Sequence, residues 1–155
     1  MPLLISVTDQ APIHANSSSA ESPLLSVKLA QACERWGYHR YWMAEHHNSG
    51  IFACPCPEIL IGHIASQTER IKVGSGGVML SHYSPYKVAE QFRMLALLYP
   101  DRVDLGIGRA PGGDVLARHW HTHISPPIAK PMRNRQKIYN TFCMAACRLI
   151  TPMPA

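Results

Sequence analysis

The sequence predicts an α/β fold on the plan of a (β/α)8 TIM barrel, with about the first four βα units present and an irregular tail behind them. Three observations predict it. Short apolar runs alternate with helical patterns through the first two thirds of the chain. The apolar runs start near residues 3, 39, 71 and 103, at intervals of 36, 32 and 32, close to the ~31 residues per unit of a barrel of about 250 residues. Each run ends in polar or glycine residues. Such alternation gives parallel strands joined by helices.

The elements follow in order. Leu3–Val7 is a compact apolar strand. Ser22-Pro23 opens a helix, because serine caps well and proline suits the first helical position; Leu25, Leu29, Ala32, Cys33 and Trp36 fall on one helical face, and Gly37 is its stop. Tyr38–Met43 is the second strand. Ile59, Leu60, His63, Ile64 and Gln67 trace the next helix. The third strand starts at Ile71 and runs through Gly76-Gly77 to Leu80. Ser84-Pro85 repeats the cap-and-proline signal before a stripe of Val88, Ala89, Phe92, Leu95, Ala96 and Tyr99. Pro100-Asp101 turns into the fourth strand, Val103–Ile107, which ends at Gly108-Arg109.

Composition excludes several classes. With 46% hydrophobic residues the chain can build a core. No apolar run reaches the ~18 residues of a membrane span, and MPLLISVTDQAP lacks the basic start and apolar stretch of a signal peptide, so a cytoplasmic protein without membrane contact is expected. Five cysteines, an odd number without framework spacing, read as free thiols. The net charge of +5 belongs to the tail. Residues 1–114 hold nine basic and ten acidic residues, whereas residues 115–155 hold six basic and no acidic ones. The expected division is therefore 1–114, an N-terminal half of a barrel, and 115–155, a basic tail containing proline and histidine. Acids, rhythm and helix caps vanish together after Asp114, which predicts a frameshift or truncation rather than a native tail. The tail lacks a nucleic-acid recognition module. Its His119, His121 and His123 with Cys143 and Cys147 match no zinc spacing, so neither nucleic acid nor metal is expected.

Barrel chemistry sits at the C-terminal strand ends. These offer Thr8-Asp9-Gln10, Glu45-His46-His47, Gly76-Gly77 and Gly108-Arg109, the last leading to Asp114. Histidine exchanges protons near neutrality, and a neighbouring carboxylate fixes its tautomer or raises its pKa. Paired glycines let a flat ring approach the backbone, although in a strand they also mark bulges. Arginine suits a phosphate, although after a strand it is commonly a surface ion-pair partner. Gly106-Ile107-Gly108-Arg109-Ala110-Pro111-Gly112 is not a dinucleotide fingerprint, its third glycine falling one place late.

Three blocks carry a family resemblance: Trp42-Met43-Ala44-Glu45-His46-His47, Ile71 to Leu80 with Gly76-Gly77 inside it, and Asp101 to Arg109. Their order over residues 3–114 resembles the luciferase-like monooxygenases. The resemblance implies a (β/α)8 barrel that binds reduced, diffusible FMN, or F420 in some branches. It implies O2 and a small organic substrate as reactants, an NAD(P)H:flavin reductase as flavin supplier, and a homodimer. It makes His46 the acid/base near the flavin, with Glu45 and His47 shaping that site. Gly76-Gly77 falls where the family carries a non-proline cis peptide beside the flavin ring. Arg109 resembles the arginine that meets the flavin phosphate, and Asp114 is a further candidate for cofactor binding. The alternative is a non-catalytic half-barrel that only binds flavin or dimerises.

Overall fold

A computed structural model of the chain describes residues 3–109, 113–116 and 119. Along them alternate β1 (Ser6–Asp9), α1 (Glu21–Arg35), β2 (Arg40–Met43), α2 (Pro57–Ser66), β3 (Lys72–Met79), α3 (Pro85–Leu98) and β4 (Val103–Gly108). The strands form one parallel sheet in the order β1-β2-β3-β4. Register sets Thr8 beside Trp42, Trp42 beside Gly74, and Gly74 beside Asp104.

Residues in register point to the same face, and successive residues to opposite faces. One face presents Tyr41, Met43, Val73 and Ser75, all fully buried. With Ile61 and Ile64 of α2 and Val88, Phe92 and Leu95 of α3 they make the core. The other face presents Ser6, Thr8, Arg40, Trp42, Lys72 and Asp104, half-buried or exposed. On it Arg40 Nε donates to Asp104 Oδ2 at 2.8 Å. A parallel sheet with helices packed on one face and the other left to a barrel's interior has the layers of a barrel wall.

Several local expectations hold. Gly37 has φ +79 and ends α1 in a Schellman arrangement, Tyr38 N–H donating to Cys33 O and Gly37 N–H to Glu34 O. Ser84 occupies the N-cap of α3 with Pro85 next, although its side chain makes no capping bond. The α3 stripe of Val88, Ala89, Phe92 and Leu95 is buried.

Three details differ. The first strand is Ser6–Asp9, not Leu3–Val7, and Leu3, Leu4 and Ile5 are exposed. Pairing with Arg40–Met43 sets its position, and among the described residues no helix covers the apolar run before it. The first helix starts at Glu21, one residue before the expected cap, and buries Ser22, Ser26, Val27, Ala30 and Cys33 while Leu25, Leu29 and Trp36 stay exposed. A polar network beneath α1 causes this: Ser22 Oγ donates to Pro12 O, and Ser26 O accepts from the Tyr41 hydroxyl. In α2 the buried set is Pro57, Leu60, Ile61, Ile64 and Ala65. The consecutive apolar residues Ile59-Leu60-Ile61 allow two faces, and the sheet takes the one that leaves Ile59 exposed.

Candidate active site

All four strands are parallel, so their C-terminal ends share one rim. The alternation of β2 continues past its end: Tyr41, Met43, Glu45 and His47 are buried, while Trp42, Ala44 and His46 are half-buried. Extended backbone sends successive side chains to opposite sides. Glu45 and His47 therefore share a side, with His46 between them on the other.

The Glu45 side chain is 0% exposed, and a buried carboxylate needs partners. Its Oε2 accepts from the Met79 N–H at 2.9 Å. Its Oε1 accepts from the Tyr83 hydroxyl at 2.7 Å and from His47 Nε2 at 2.5 Å. An ionised carboxylate only accepts, so the His47 hydrogen facing it is assigned to Nε2. Burial, then the contact with Glu45, pushes the Tyr83 phenol above its ordinary range and keeps it a donor.

His46 stacks on Phe52, ring centroids 4.3 Å apart, and its backbone N–H donates to Cys54 O. Burial first, then the neighbouring His47, lowers its pKa from the ordinary 6.5 against the opposing pull of Glu45. The imidazole is thus neutral near pH 7 and able to accept a proton.

At the end of β1, Asp9 is used structurally. Its Oδ1 accepts from Ala11 N–H and its Oδ2 from the Tyr41 hydroxyl. It points to the helix side of the sheet.

The Gly76-Gly77 bond is cis, and the β3–β4 register shifts between Ser75 and Val78. Ser75 Oγ spans the irregularity, donating to Gly106 O at 2.9 Å and accepting from Gly106 N–H at 3.1 Å. Three glycines here permit close approach. A Cβ at Gly106 would lie 2.3 Å from Ser75 O, one at Gly77 2.8 Å from Gly106 C, and one at Gly74 2.6 Å from the Trp42 indole. Gly76 differs: it is exposed, and the nearest neighbour of its Cβ would be the Trp42 side chain, at 3.1 Å. Bare backbone bordered by an indole is a surface on which a planar ring can lie, so these residues fit a flavin.

Arg109 is exposed directly after β4. Asp114 Oδ2 accepts from Asn48 Nδ2 at 2.8 Å, and Gly113 forms a parallel bridge with His47. The segment after β4 is thereby joined to the loop after β2. Ala110, Pro111 and Gly112 lie outside the described residues, as do His121, His123, Cys143 and Cys147. Among the described residues no group of three or more potential ligands could hold a metal.

The structure thus brings Glu45, His47 and Met79 together with Tyr83, which sequence reasoning missed. The segment Ser81-His82-Tyr83-Ser84-Pro85 carries only a helix-start signal, and nothing in its spacing points to Glu45. Trp42 as the neighbour of Gly76 was also missed, although strand pairing between β2 and β3 would have placed it.

The family model of the luciferase-like monooxygenases matches residues 1–133. The chain belongs to that family. N-acetyl-S-alkylcysteine monooxygenase of Bacillus subtilis is 52% identical over 109 residues, which are 70% of this luciferase-like chain and 33% of that protein. The chain thus spans about a third of that curated relative. The crystal structure of apo-MsnO8 superposes with a TM-score of 0.83 at 44% identity, over 92% of this chain and 42% of that one. The oxygenating constituent of 3,6-diketocamphane monooxygenase from a Pseudomonas putida plasmid, solved with FMN, has a TM-score of 0.75 at 22% identity, over 90% of this chain and 38% of that one; at that identity it shows the fold alone. The four-stranded sheet is accordingly part of a TIM barrel.

Proposed function

We propose that this luciferase-like chain forms the flavin-ring side of a monooxygenase site that uses reduced FMN and O2 on a small organic substrate. The observation that carries the reading is the bare backbone of Gly76 beside Trp42, one strand away from His46 at the same rim. When bound, reduced FMN supplies the electrons that activate O2. The chain's own residues do the rest. Gly76 and Gly77 support the ring face, His46 accepts or returns a proton, and Glu45 with His47 hold the His46 backbone in place. Arg109 meets the phosphate through its planar fork. Asp114, bonded to Asn48, orders the rim beside it.

The flavin arrives from an NAD(P)H:flavin reductase as a diffusible molecule. We place the protein in the cytoplasm, a reading supported by the free thiols of Cys33, Cys54 and Cys56. Among the described residues no helix is long and apolar enough to cross a membrane. A second copy covers the outer face of α2 and α3, where Ile59, Tyr86, Met94 and Leu97 are exposed along a groove of about 670 Å³. We keep the division at Asp114, supported by the loss of every acid beyond it.

Anaerobic titration of photoreduced FMN, followed by absorbance, tests the reading, with F420 as the competing ligand. The chain and its His46→Asn variant should bind FMN alike, and Gly76→Leu should bind more weakly. Equal affinity in Gly76→Leu would remove the ring from β3, and tighter binding of F420 would replace the cofactor.

A further inference from the structure

We propose that Tyr83 is a positioning residue of this site: its hydroxyl shares Glu45 Oε1 with His47, and so holds the Glu45-His46-His47 segment against the end of β3. The proposal deepens the flavin reading and rests on it for the ligand, but not for the geometry.

Glu45 stands at the centre of a buried unit built from three separate segments. The Met79 N–H comes from the last residue of β3, the Tyr83 hydroxyl from the turn before α3, and His47 from the loop after β2. The Tyr83 hydroxyl lies 3.2 Å from His47 Nε2 as well as 2.7 Å from Glu45 Oε1. Both donors thus converge on one carboxylate oxygen. His46 is tethered on each side to a member of this unit, and its own ring rests on Phe52. Small shifts of Glu45 or His47 therefore move the imidazole between them.

Among the described residues, the charged and titratable groups around His47 include Glu45 and His46 on its own segment, and Tyr83 and His82 from the turn before α3. The His82 ring meets His47 edge-on at 5.6 Å. Asp114, held by the adjacent Asn48, approaches from the segment after β4. Among the described residues Glu45 is the carboxylate bonded to His47, and Tyr83 donates to the same oxygen. Removing the Tyr83 hydroxyl concentrates that oxygen on His47, which favours the imidazolium.

The test is ¹⁵N-histidine NMR across pH on the full chain, in unmodified form and as Tyr83→Phe, each also in a Glu45→Gln background. In the Tyr83→Phe variant the His47 titration midpoint should rise by about half to one pH unit, the reading of one hydrogen bond. The rise should vanish in the Glu45→Gln background. An unchanged midpoint, or an equal rise without the carboxylate, overturns the proposal. Should Tyr83→Phe fail to fold, ¹³C-tyrosine spectra of the unmodified chain in mixed H2O and D2O decide. Separate protonated and deuterated Cζ lines for Tyr83 show a hydroxyl retained in a hydrogen bond, whereas a single averaged line refutes it. FMN titration of the same samples separates the two claims. A shifted midpoint without FMN binding leaves Tyr83 in place and sinks the flavin reading. FMN binding with an unshifted midpoint does the reverse.

Discussion

Glu45→Gln is the most informative single change, because it keeps shape and removes one acceptor. In the native chain both carboxylate oxygens accept: Oε2 from the Met79 N–H, and Oε1 from Tyr83 and His47. An amide offers one oxygen and one NH2 group. If the oxygen faces Met79, the NH2 faces two donors; if it faces Tyr83 and His47, the NH2 faces the Met79 N–H. Either way the groups that donated to the carboxylate must turn to accept or lose their acceptor, at a cost of about 1–3 kcal/mol. With an m-value of roughly 2 kcal/mol/M in urea, the unfolding midpoint should fall by about 0.5–1.5 M, followed by far-UV circular dichroism at pH 7. Glu90→Gln is the control: Glu90 is exposed and only 3.6 Å from Lys87, and an exposed pair of that kind contributes ~0–1 kcal/mol. If Glu45→Gln unfolds at the same urea concentration as the control, Glu45 is not the organising acceptor, and the account of the β2 loop fails.

Three further outcomes follow from the same geometry. Gly106→Ala would place a Cβ 2.3 Å from the Ser75 carbonyl oxygen, a backbone atom that moves only with its strand; a loss of about 1–3 kcal/mol in urea unfolding is expected, and wild-type stability would contradict the β3–β4 register. Burial and His47 lower the His46 pKa in the folded state, so the unfolded chain binds the proton more readily and stability falls as pH drops from 6.5 through the lowered folded value; the stability gap between the chain and His46→Asn should therefore change between pH 7 and pH 5, and a constant gap would refute the shift. Burial pushes the Cys54 thiol up to about 12, whereas Cys56 is exposed; peptide mapping after brief alkylation at pH 8 should find Cys56 modified well before Cys54 or Cys33, and equal labelling would show that the core opens.

Much of this was legible in the sequence, for identifiable reasons. The βα rhythm is legible because strand and helix periods differ, and α3 shows its face because Val88, Phe92 and Leu95 are separated by polar residues. The rim residues are legible because strand ends stand out as polar or glycine. The face of α1 was not, because it is chosen by long-range polar contacts: Asp9, Tyr41 and Ser26 meet across 15 to 32 residues of sequence, and hydrophobic periodicity is blind to them. Tyr83 was hidden for the same reason, lying 38 residues from Glu45. The partnership of Glu45 with His47 rather than His46 needed only the strand's own alternation carried two residues further.

The central claim is that the ends of β2, β3 and β4 make the flavin-ring surface. Backbone amide NMR of the full chain, titrated with FMN under anaerobic reduction, tests it most directly. The account predicts shifts concentrated at residues 42–47, 74–77 and 106–109, with the outer face of α2 and α3 unmoved. Shifts confined to that outer face, or none at millimolar FMN, would contradict it.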